Sequence, residues 1–596
     1  MTSLAERLYA ATDDPLARQL VPVLCRPTGI TSAGYPFLEG EAYSILRDHI
    51  PHVLGMGQNV WTILEQFSAL LDGVDEDVRH HFVQSRRVVQ QVIRTASITA
   101  PPALWLMRFV VGALQEVGIV DRLLAGEQID LKAEGLDSRE LDTDLSFLSV
   151  MGVLERHDDA FTMAEHAEAR RILEGVSTLG SQEPVDAAVH WTQVFLGNDI
   201  DPATRKALLA MADGLSPRTD VEQTHWYPSL EEVQLGYRLV PVVIGMAAAE
   251  RIQVALRGSL CPLDLAPTDG ELGQVAIDIL TVCGALKIVP GLDEWVATPL
   301  GRRLLERGPG PFGIIEAYHP YMRHAVTILR GGRGTIHLSR SANIAASQRA
   351  NRESFRRAND SLDAFCADTG FRYSVFIEHA LGRGEATRQR FVRSGDEAIQ
   401  FVGADLEDPA IDAAMAERDA GVLPEDMVFV RNADIAQPHI LLDALRAEGI
   451  DSRGAVMVVG NGFHEIRNAT DQKVVDVLRL YQEAGIVLVF TEETALSIRD
   501  QQATGWNTYH PAFRYVHEKS GQGLRPAEKR VSDPDDPMPM SWTECCSRAG
   551  YIRMERYCKP GRTIYPCPPP SGRNPSTYMN YFFVPAERAE SLGLSG

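Results

Sequence analysis

The sequence predicts an α/β domain with a parallel sheet at its C-terminal end, preceded by a helical region and a repeated middle region. Three observations carry this prediction. From about Tyr373 onward, short apolar runs alternate with helix-like segments, which is typical of strands joined by crossover helices. Residues 101–330 contain an internal repeat, and residues 1–100 carry apolar side chains at helical spacing.

Composition indicates a globular chain of several domains. A chain of 596 residues exceeds a single hydrophobic core, so we expect about three or four domains. The 58 Lys and Arg against 80 Asp and Glu give a net charge of −22, which disfavours nucleic acid as a partner.

Cellular location is predicted from three features of the sequence. The longest apolar stretch, Leu239 to Ala249, is shorter than the roughly 20 residues that span a membrane. The first residues lack the apolar segment of a signal peptide, and eight scattered cysteines fit reduced thiols. We therefore expect a cytoplasmic protein that does not bind membranes.

The middle region repeats at an offset of 132 residues. The recurring pairs are Leu124 and Leu256, Gly126 and Gly258, Gly152 and Gly284, Leu154 and Leu286, and Arg170-Arg171 and Arg302-Arg303. Each copy has an apolar helix, a short hairpin and a closing basic helix, which is the order of a winged helix. The candidate recognition helices, Ser138 to Leu154 and Gly270 to Leu286, are acidic or apolar. We therefore predict a dimer interface or a substrate wall rather than DNA binding.

Breaks in composition give the predicted boundaries. Ala100-Pro101-Pro102 interrupts a helical pattern, and Gly331 to Ser347 is typical of a linker. The predicted regions are a helical region at 1–100, winged-helix-like domains at 101–235 and 236–330, a linker and helix at 331–364, and the last domain at 365–596.

Five strands are predicted in the last domain, and polar or acidic residues follow each of them. The strands are Tyr373 to Ile377, Ala398 to Val402, Met427 to Val430, Ala455 to Val459, and Gly485 to Phe490. Ligands of open α/β sheets bind in the crevice outside the carboxyl ends of the strands. The residues after these strands therefore mark the predicted binding site.

The residues at four of these ends suit an adenosyl amino acid. Glu378, Gly382 and Gly384 follow the first strand, Asp405 the second, Asp434 the third, and Asn461 to His464 the fourth. Glycines allow backbone to approach a ligand, and a carboxylate can accept hydrogen bonds from both hydroxyls of a ribose. This order resembles the class I S-adenosylmethionine (SAM)-dependent methyltransferase family.

The resemblance covers about residues 365–590 and implies a Rossmann-like, seven-stranded, mostly parallel sheet with SAM as cofactor. Trp542 to Tyr551 matches a helix of the family, and Ile552 to Tyr557 and Tyr578 to Val584 match its two antiparallel strands. By resemblance, the cofactor-binding residues are Glu378, Gly382, Gly384, Asp405, Asp434 and Asn461. The chain departs from the family's Gly-x-Gly-x-Gly after strand one, where it has Glu378-His379-Ala380-Leu381-Gly382-Arg383-Gly384.

Two histidines are the candidate catalytic residues. The resemblance implies that His464, after strand four, faces the methyl group; the alternative is a structural histidine beneath the pocket. His510 lies in a polar cluster with His517, Glu518 and Gln522.

The same cluster is a candidate metal site. His510, His517 and Gln522 are residue types that suit Fe(II) or another divalent metal. The chain also loosely resembles the iron-dependent C-methyltransferase domains that initiate some polyketide assembly lines. Helix capping or pocket lining by these residues is the alternative. For Cys545, Cys546, Cys558 and Cys567 we predict core packing of at least two rather than zinc binding.

The predicted function is methyl transfer from SAM to a small-molecule, secondary-metabolite or carrier-linked substrate by a homodimer. One alternative is a SAM-binding enzyme that decarboxylates or cyclises its substrate without methylating it. The less favoured alternative is a winged-helix regulatory protein.

Overall fold

The computed structural model describes residues 3–26, 28–30, 36–38, 40–49, 53–132, 134–179, 186–215, 227–336, 341–395, 398–498, 501–502, 510–528, 538–563 and 576–594. The chain divides into two compact units. Unit 1 comprises Met1–Ile336, Ile498–Tyr515 and Ile564–Pro575, and unit 2 comprises His337–Ser497, Val516–Thr563 and Ser576–Gly596. Unit 2 therefore begins within the predicted linker, and part of the last predicted domain belongs to unit 1.

Unit 1 is mainly helical. Its helices are Leu4–Ala10, Pro15–Leu24, Gly40–His49, Val53–Ser68, Glu76–Glu116, Ile119–Leu124, Ser138–Val150, Ala167–Leu179, Ala187–Leu196, Pro202–Leu209, Leu230–Ala248, Ile252–Arg257, Pro262–Leu265, Gly270–Val282, Pro299–Arg307, Pro309–Glu316, His319–Arg323 and Ala325–Gly331. Short antiparallel pairs join β1 (Thr28–Ile30) to β2 (Pro36–Leu38), β3 (Ile129–Asp130) and β4 (Leu154–His157) to β5 (Ala160–Met163), and β6 (Leu286–Ile288) to β7 (Trp295–Ala297).

The boundary predicted at Ala100-Pro101-Pro102 is wrong, because the helix Glu76–Glu116 runs through both prolines. Both prolines are buried, and the helix packs closely on Leu230–Ala248: a Cβ added to Gly236 would lie 2.4 Å from the Leu104 Cβ. Burial of this helix therefore outweighs the hydrogen bonds that proline removes. By length and composition it also qualifies as a membrane span, but 78% of its apolar window is buried in the fold, as in the core helix of a soluble protein.

The 132-residue repeat is visible as repeated hydrogen bonds. Arg170 donates to the Leu124 carbonyl at 2.9 Å, and Arg302 donates to the Leu256 carbonyl at 3.1 Å. Gly152 and Gly284 both follow the central helix of their copy with φ of 79° and 74°. Each copy therefore has the predicted order of central helix, hairpin and closing helix.

The central helix of the first copy, Ser138–Val150, is covered within unit 1. The Tyr515 hydroxyl donates to the buried carboxylate of Asp144 at 2.9 Å, and the Tyr515 ring lies 4.8 Å from that of Phe147. Gln502 donates to the Ser149 carbonyl at 3.2 Å. Gln502 and Tyr515 thus contact the helix that a DNA-binding winged helix would leave exposed.

Unit 2 is built around one sheet of the predicted mostly parallel type. Its strands are β8 (Val375–His379), β9 (Gln400–Ala404), β10 (Val428–Val430), β11 (Val456–Gly460), β12 (Val487–Glu493), β13 (Tyr551–Arg553), β14 (Lys559–Thr563) and β15 (Ser576–Pro585). Their order is β10-β9-β8-β11-β12-β15-β13, with β14 also paired to β15. Strands β8 to β12 are parallel, and β15 runs antiparallel to β12, β13 and β14.

Two details of this sheet differ from the prediction. The sheet has eight strands rather than seven, because β14 adds to the edge of β15. The segment predicted as a strand at Ile552 to Tyr557 is extended only to Arg553 and then forms a short 3-10 turn at Glu555–Tyr557. The five parallel strands and the helix Trp542–Arg548 are confirmed to within a few residues.

Helices cover the sheet of unit 2. They are Ser341–Thr369, Glu385–Ser394, Asp408–Asp419, Pro438–Ala447, Asp471–Glu483, Trp542–Arg548 and Ala586–Ser591, and His510–Lys519 crosses the division between the units. Strands β8, β11 and β12 are almost wholly buried, which explains their continuous apolar runs. The chain order reverses at β8, which lies between β9 and β11, so the crevice at the tips of β8 and β11 is the ligand position of such sheets.

Gly301 provides a test of the packing in the second copy of the repeat. A Cβ at this position would lie 1.8 Å from the Ala285 carbonyl oxygen. We expect Gly301→Ala to reduce the free energy of unfolding of unit 1 by about 3 kcal/mol, because backbone must move to admit the methyl. The control Gly313→Ala lies in the helix Pro309–Glu316 with nothing within 4 Å, and should raise it by up to about 1 kcal/mol. Equal denaturation midpoints for the two variants would contradict this packing.

Candidate active site

The loop after β8 is held by a buried carboxylate. Glu378 accepts hydrogen bonds from the backbone N–H of Ala386 at 3.1 Å and of Thr387 at 2.6 Å, in the first turn of the helix Glu385–Ser394. Burial raises the pKa of Glu378 to about 7. Its role in the structure is therefore to fix the loop and the helix that follow the central strand.

The same loop has the backbone conformation of a glycine-rich turn. Gly382 and Gly384 have φ of 53° and 78°, and Ala380 has φ of 58°, in the region that normally favours glycine. The departure from Gly-x-Gly-x-Gly noted in the sequence thus places an alanine where the backbone is left-handed. The backbone is therefore left-handed at Ala380, as it is at Gly382 and Gly384, and Ala380 adds a methyl group to the loop.

Asp405 joins the tips of β8 and β9. One carboxylate oxygen accepts from Gly382 N–H at 2.9 Å and the other from Glu407 N–H at 3.0 Å, and burial raises the pKa of Asp405. The side chain is 8% exposed. A carboxylate has about four lone-pair sites, so these two contacts leave acceptor capacity for ribose hydroxyls.

Asp434 lies in the turn after β10. Its two oxygens accept from Ala436 N–H at 2.8 Å and from the side-chain amide of Gln437 at 3.0 Å. The Asp405 carbonyl accepts from Ala433 N–H at 2.9 Å, which ties this turn to the tip of β9. The side chain of Asp434 is half-buried, as a group that contacts a ligand at the rim of a crevice would be.

The tip of β11 meets the other loops at Gly462. Asn461 has φ of 54° and its N–H donates to the Thr491 carbonyl at 2.8 Å. A Cβ on Gly462 would lie 3.2 Å from the Ala380 methyl and 3.3 Å from the Ile435 side chain. The turns after β8, β10 and β11 therefore converge at the topological switch point, where the sequence predicts the cofactor.

His464 is held by a carboxylate from the neighbouring strand. Its Nδ1 lies 2.6 Å from Glu492 Oε2, and the other oxygen of Glu492 accepts from the N–H of Phe463 at 2.6 Å and of His464 at 3.3 Å. His464 is 4% exposed and Glu492 is fully buried. Burial raises the pKa of Glu492 to about 8. The two side chains form a dyad that fixes the orientation of the imidazole ring.

The other side of the His464 ring faces further polar groups. Nε2 lies 3.6 Å from Glu465 Oε1, and the His517 ring centroid is 5.0 Å from that of His464. Gln522 donates its amide N–H to Glu465 and accepts from the Ser520 hydroxyl at 2.9 Å. Gly523 N–H donates to the His464 carbonyl at 3.0 Å, so the two segments are also joined through backbone.

Arg525 fixes the segment that carries His517 and Gln522. Its buried guanidinium donates to Asp471 at 2.5 Å, to the Ala469 carbonyl at 2.9 Å and to the Met540 carbonyl at 3.0 Å. A buried arginine with several acceptors orders the backbone on both sides of it. His517 and Gln522 are thereby held against the turn that carries His464.

The two histidines of the predicted metal site lie on one helix, His510–Lys519, which crosses the division between the units. His517 belongs to unit 2, whereas His510 belongs to unit 1, where it is fully buried with its ring 6.4 Å from that of Phe513. Gln522 bonds to Glu465 and Ser520 instead. In the described part of the chain, no three or more His, Cys, Asp or Glu side chains are grouped as metal ligands. Binding of Fe(II) is without support, and both the ligand set His510, His517 and Gln522 and a catalytic role of His510 stay predictions.

The cysteines near the C-terminus pack in the core of unit 2. Cys545 and Cys546 are fully buried and Cys558 nearly so, and burial raises the pKa of the Cys545 thiol to about 11. Core packing of at least two of them is confirmed. Cys567 lies outside the described residues, as do residues 506–509, which precede His510.

The sequence analysis did not identify the partner of His464. Two acids, Glu492 and Glu493, follow the fifth predicted strand, and nothing in the sequence pairs either of them with His464. Strands β11 and β12 are neighbours, with Gly460 paired to Thr491. A histidine after one strand and an acid at the end of its neighbour is the signal that could have found the pair.

Comparisons with known proteins found matches among solved structures. Neither a family model nor a curated protein matches the sequence. Among solved structures, the CurJ carbon methyltransferase is 12% identical, with a TM-score of 0.31 over 90% of this chain and 99% of that one. The CMeT domain of the citrinin polyketide synthase is 9% identical, with a TM-score of 0.32 over 90% of this chain and 96% of that one. An O-methyltransferase family protein from Burkholderia thailandensis is 17% identical, with a TM-score of 0.35 over 59% and 95%.

Ala380 allows the geometry of the loop to be tested. A left-handed conformation costs an alanine about 1–2 kcal/mol. Glycine removes this cost, but its greater conformational entropy in the unfolded chain offsets part of the gain in stability. We expect Ala380→Gly to stabilise unit 2 by about 0.5–1 kcal/mol in chemical denaturation. The control Ala484→Gly, at φ −74°, should destabilise it by a similar amount. Destabilisation by both changes would show that Ala380 does not adopt this conformation.

Proposed function

We propose that the chain is a SAM-dependent methyltransferase acting on a small molecule, in which His464, oriented by Glu492, removes the proton of the group that is methylated. The observation that carries this proposal is the buried dyad, with an Nδ1···Oε2 distance of 2.6 Å, beside the switch-point crevice. A histidine fixed through one ring nitrogen presents the other as an acid or base.

The crevice suits SAM through its own residues. Asp405 would accept hydrogen bonds from the ribose hydroxyls, and Asp434 would lie on the adenine side. Asn461 and the turn that contains Ala380, Gly382 and Gly384 would contact the amino acid portion of SAM. When bound, SAM supplies an electrophilic methyl group on sulfur.

The dyad supports a reaction in which a proton is lost. Above the pKa of Glu492, an Nδ1–H of His464 donated to the ionised carboxylate would leave the lone pair of the neutral ring on Nε2. A hydroxyl or an acidic carbon placed between Nε2 and the methyl group would lose its proton as the new bond to carbon forms. Positioning and general-base catalysis are the main contributions such a transfer needs.

The non-methylating alternative stays open. It rests on the unusual loop after the first strand, where Ala380 has a left-handed φ of 58°. A carrier-linked substrate and a homodimer remain part of the proposal. The contacts of Gln502 and Tyr515 with Ser138–Val150 support a role for unit 1 other than contact with nucleic acid.

Cofactor binding tests the proposal without knowledge of the substrate. We expect titration calorimetry of the full chain to detect SAM and S-adenosylhomocysteine, and Asp405→Asn to weaken both at least tenfold, because an amide cannot replace both acceptor oxygens. The control Asp419→Asn changes an exposed carboxylate that pairs with its neighbour Arg418 and should leave affinity unchanged. No binding by the wild type would reject the proposed function.

The dyad has a pH dependence of defined sign. The pKa of Glu492 is raised from 4.5 to about 8, so the folded state binds more protons than the unfolded state between these values. Stability contributed by this proton is therefore lost as pH rises from about 5 to 8, by at most about 1.4 kcal/mol per pH unit. Glu492→Gln should remove this loss, which thermal unfolding of both proteins over pH 5–9 would measure. Parallel pH curves for the two proteins would contradict a raised pKa at Glu492.

A further inference from the structure

His379, the last residue of β8, accepts a hydrogen bond from the next residue in the chain. The backbone N–H of Ala380 donates to its Nδ1 at 2.9 Å. A backbone N–H can only donate, so Nδ1 carries a lone pair and the proton of the neutral ring lies on Nε2. Burial lowers the pKa of His379 to about 4, which keeps the ring neutral at neutral pH. The imidazole is therefore the acceptor for the first N–H beyond the strand.

The surroundings of this ring do not otherwise favour a histidine. His379 is 2% exposed, and its Nε2 has no hydrogen-bond partner among the described residues. The Tyr481 ring packs edge-on against it, with 6.5 Å between the ring centroids. A buried donor without a partner costs about 1–3 kcal/mol, so an apolar side chain of similar size would pack at lower cost. The hydrogen bond from Ala380 is what the imidazole contributes.

The next N–H groups of the same turn have acceptors elsewhere in the fold. Leu381 N–H donates to the Ala404 carbonyl at 3.1 Å, and Gly382 N–H donates to Asp405 at 2.9 Å. Ala380 precedes both of them, and its φ of 58° costs a residue with a Cβ about 1–2 kcal/mol. The bond to the imidazole offsets this cost at the position of the turn where the chain has alanine.

The position of Ala380 also affects the neighbouring turns. A Cβ on Gly462 would lie 3.2 Å from the Ala380 methyl and 3.3 Å from the Ile435 side chain. Tyr481, which packs on the imidazole, donates its hydroxyl to the Ile435 carbonyl at 3.3 Å. The imidazole is therefore linked to the point where the turns after β8, β10 and β11 converge. A backbone shift at Ala380 would change the width of the crevice between β8 and β11.

We propose that His379 is a positioning residue for the cofactor, because by accepting the Ala380 N–H it holds the turn after β8 in the shape that binds SAM. This inference rests on the proposed function, in which that turn contacts the amino acid portion of SAM. His379 acts through Ala380 and takes part in no proton transfer. Its hydrogen bond stabilises at alanine a conformation that glycine would adopt unaided.

Three substitutions at this one position separate the hydrogen bond from packing. Asparagine places its Oδ1 near the position of Nδ1 and can accept the same N–H, whereas glutamine places its amide near Nε2 and leucine has no polar atom. In titration calorimetry of the full-length protein, we expect His379→Leu and His379→Gln to weaken SAM binding about tenfold, the equivalent of one lost hydrogen bond. His379→Asn should stay within about threefold of the wild type, although it fills the core less well.

A second change tests whether His379 acts through the backbone of Ala380. Glycine adopts the left-handed conformation without help, so Ala380→Gly added to His379→Leu should restore SAM affinity to within about threefold of the wild type. The control Ala484→Gly, at φ −74°, should restore nothing when it is added to His379→Leu. If His379 served only to fill the core, neither glycine would restore binding.

The outcomes distinguish this proposal from the proposed function. Equal weakening by asparagine, glutamine and leucine, or no recovery with Ala380→Gly, overturns the role of His379. Unchanged binding in His379→Leu does the same, and the asparagine and glutamine variants decide if the leucine variant does not fold. Absence of SAM binding to the wild type would instead reject the methyltransferase proposal.

The hydrogen bond itself can be tested without SAM. In chemical denaturation, the loss of unfolding free energy caused by His379→Leu should be smaller when Ala380 is already glycine, because the two residues are coupled. Equal losses in the two backgrounds would show that the imidazole does not stabilise the left-handed turn.

Discussion

The parallel run of β8 to β12 is the constraint on which the site depends. All five strands end at the same edge of the sheet, so five chain turns must be accommodated within the width of a few strands. The reversal of strand order at β8 separates the loops after β8 and β11 and opens a crevice between them. Strand order thus determines where a ligand can bind, and the turn residues determine which ligand.

Carboxylates accept hydrogen bonds from the backbone N–H groups at this edge of the sheet. Glu378 accepts two of them from a helix start, Asp405 one from each of two loops, and Glu492 those of Phe463 and His464. Each acid satisfies buried donors that would otherwise be costly. The fold therefore fixes the position of these acids before a ligand binds. The free lone pairs of Asp405 and the imidazole ring held by Glu492 are oriented in advance.

The fold of unit 2 was largely predictable from the sequence, whereas the dyad was not. Apolar runs separated by about one helix reveal parallel strands, because such strands are buried on both faces. His464 and Glu492 are separated by a whole helix and strand, and they meet only because β11 and β12 are adjacent. Alternation along a strand also leaves open whether Glu492 or its neighbour Glu493 faces the turn, and periodicity cannot decide between them.

The wrong boundary at Ala100-Pro101-Pro102 has its physical origin in tertiary packing. Pro101 and Pro102 lie inside a helix because that helix is buried against Leu230–Ala248, and local propensity yields to such burial. His510 and His517 share a helix, as their spacing predicts, yet that helix crosses from one unit to the other. Spacing along a helix gives the direction of a side chain but not its surroundings. For a histidine the surroundings decide the chemistry, and at His464 they are two carboxylates of unequal burial, one of which has access to water.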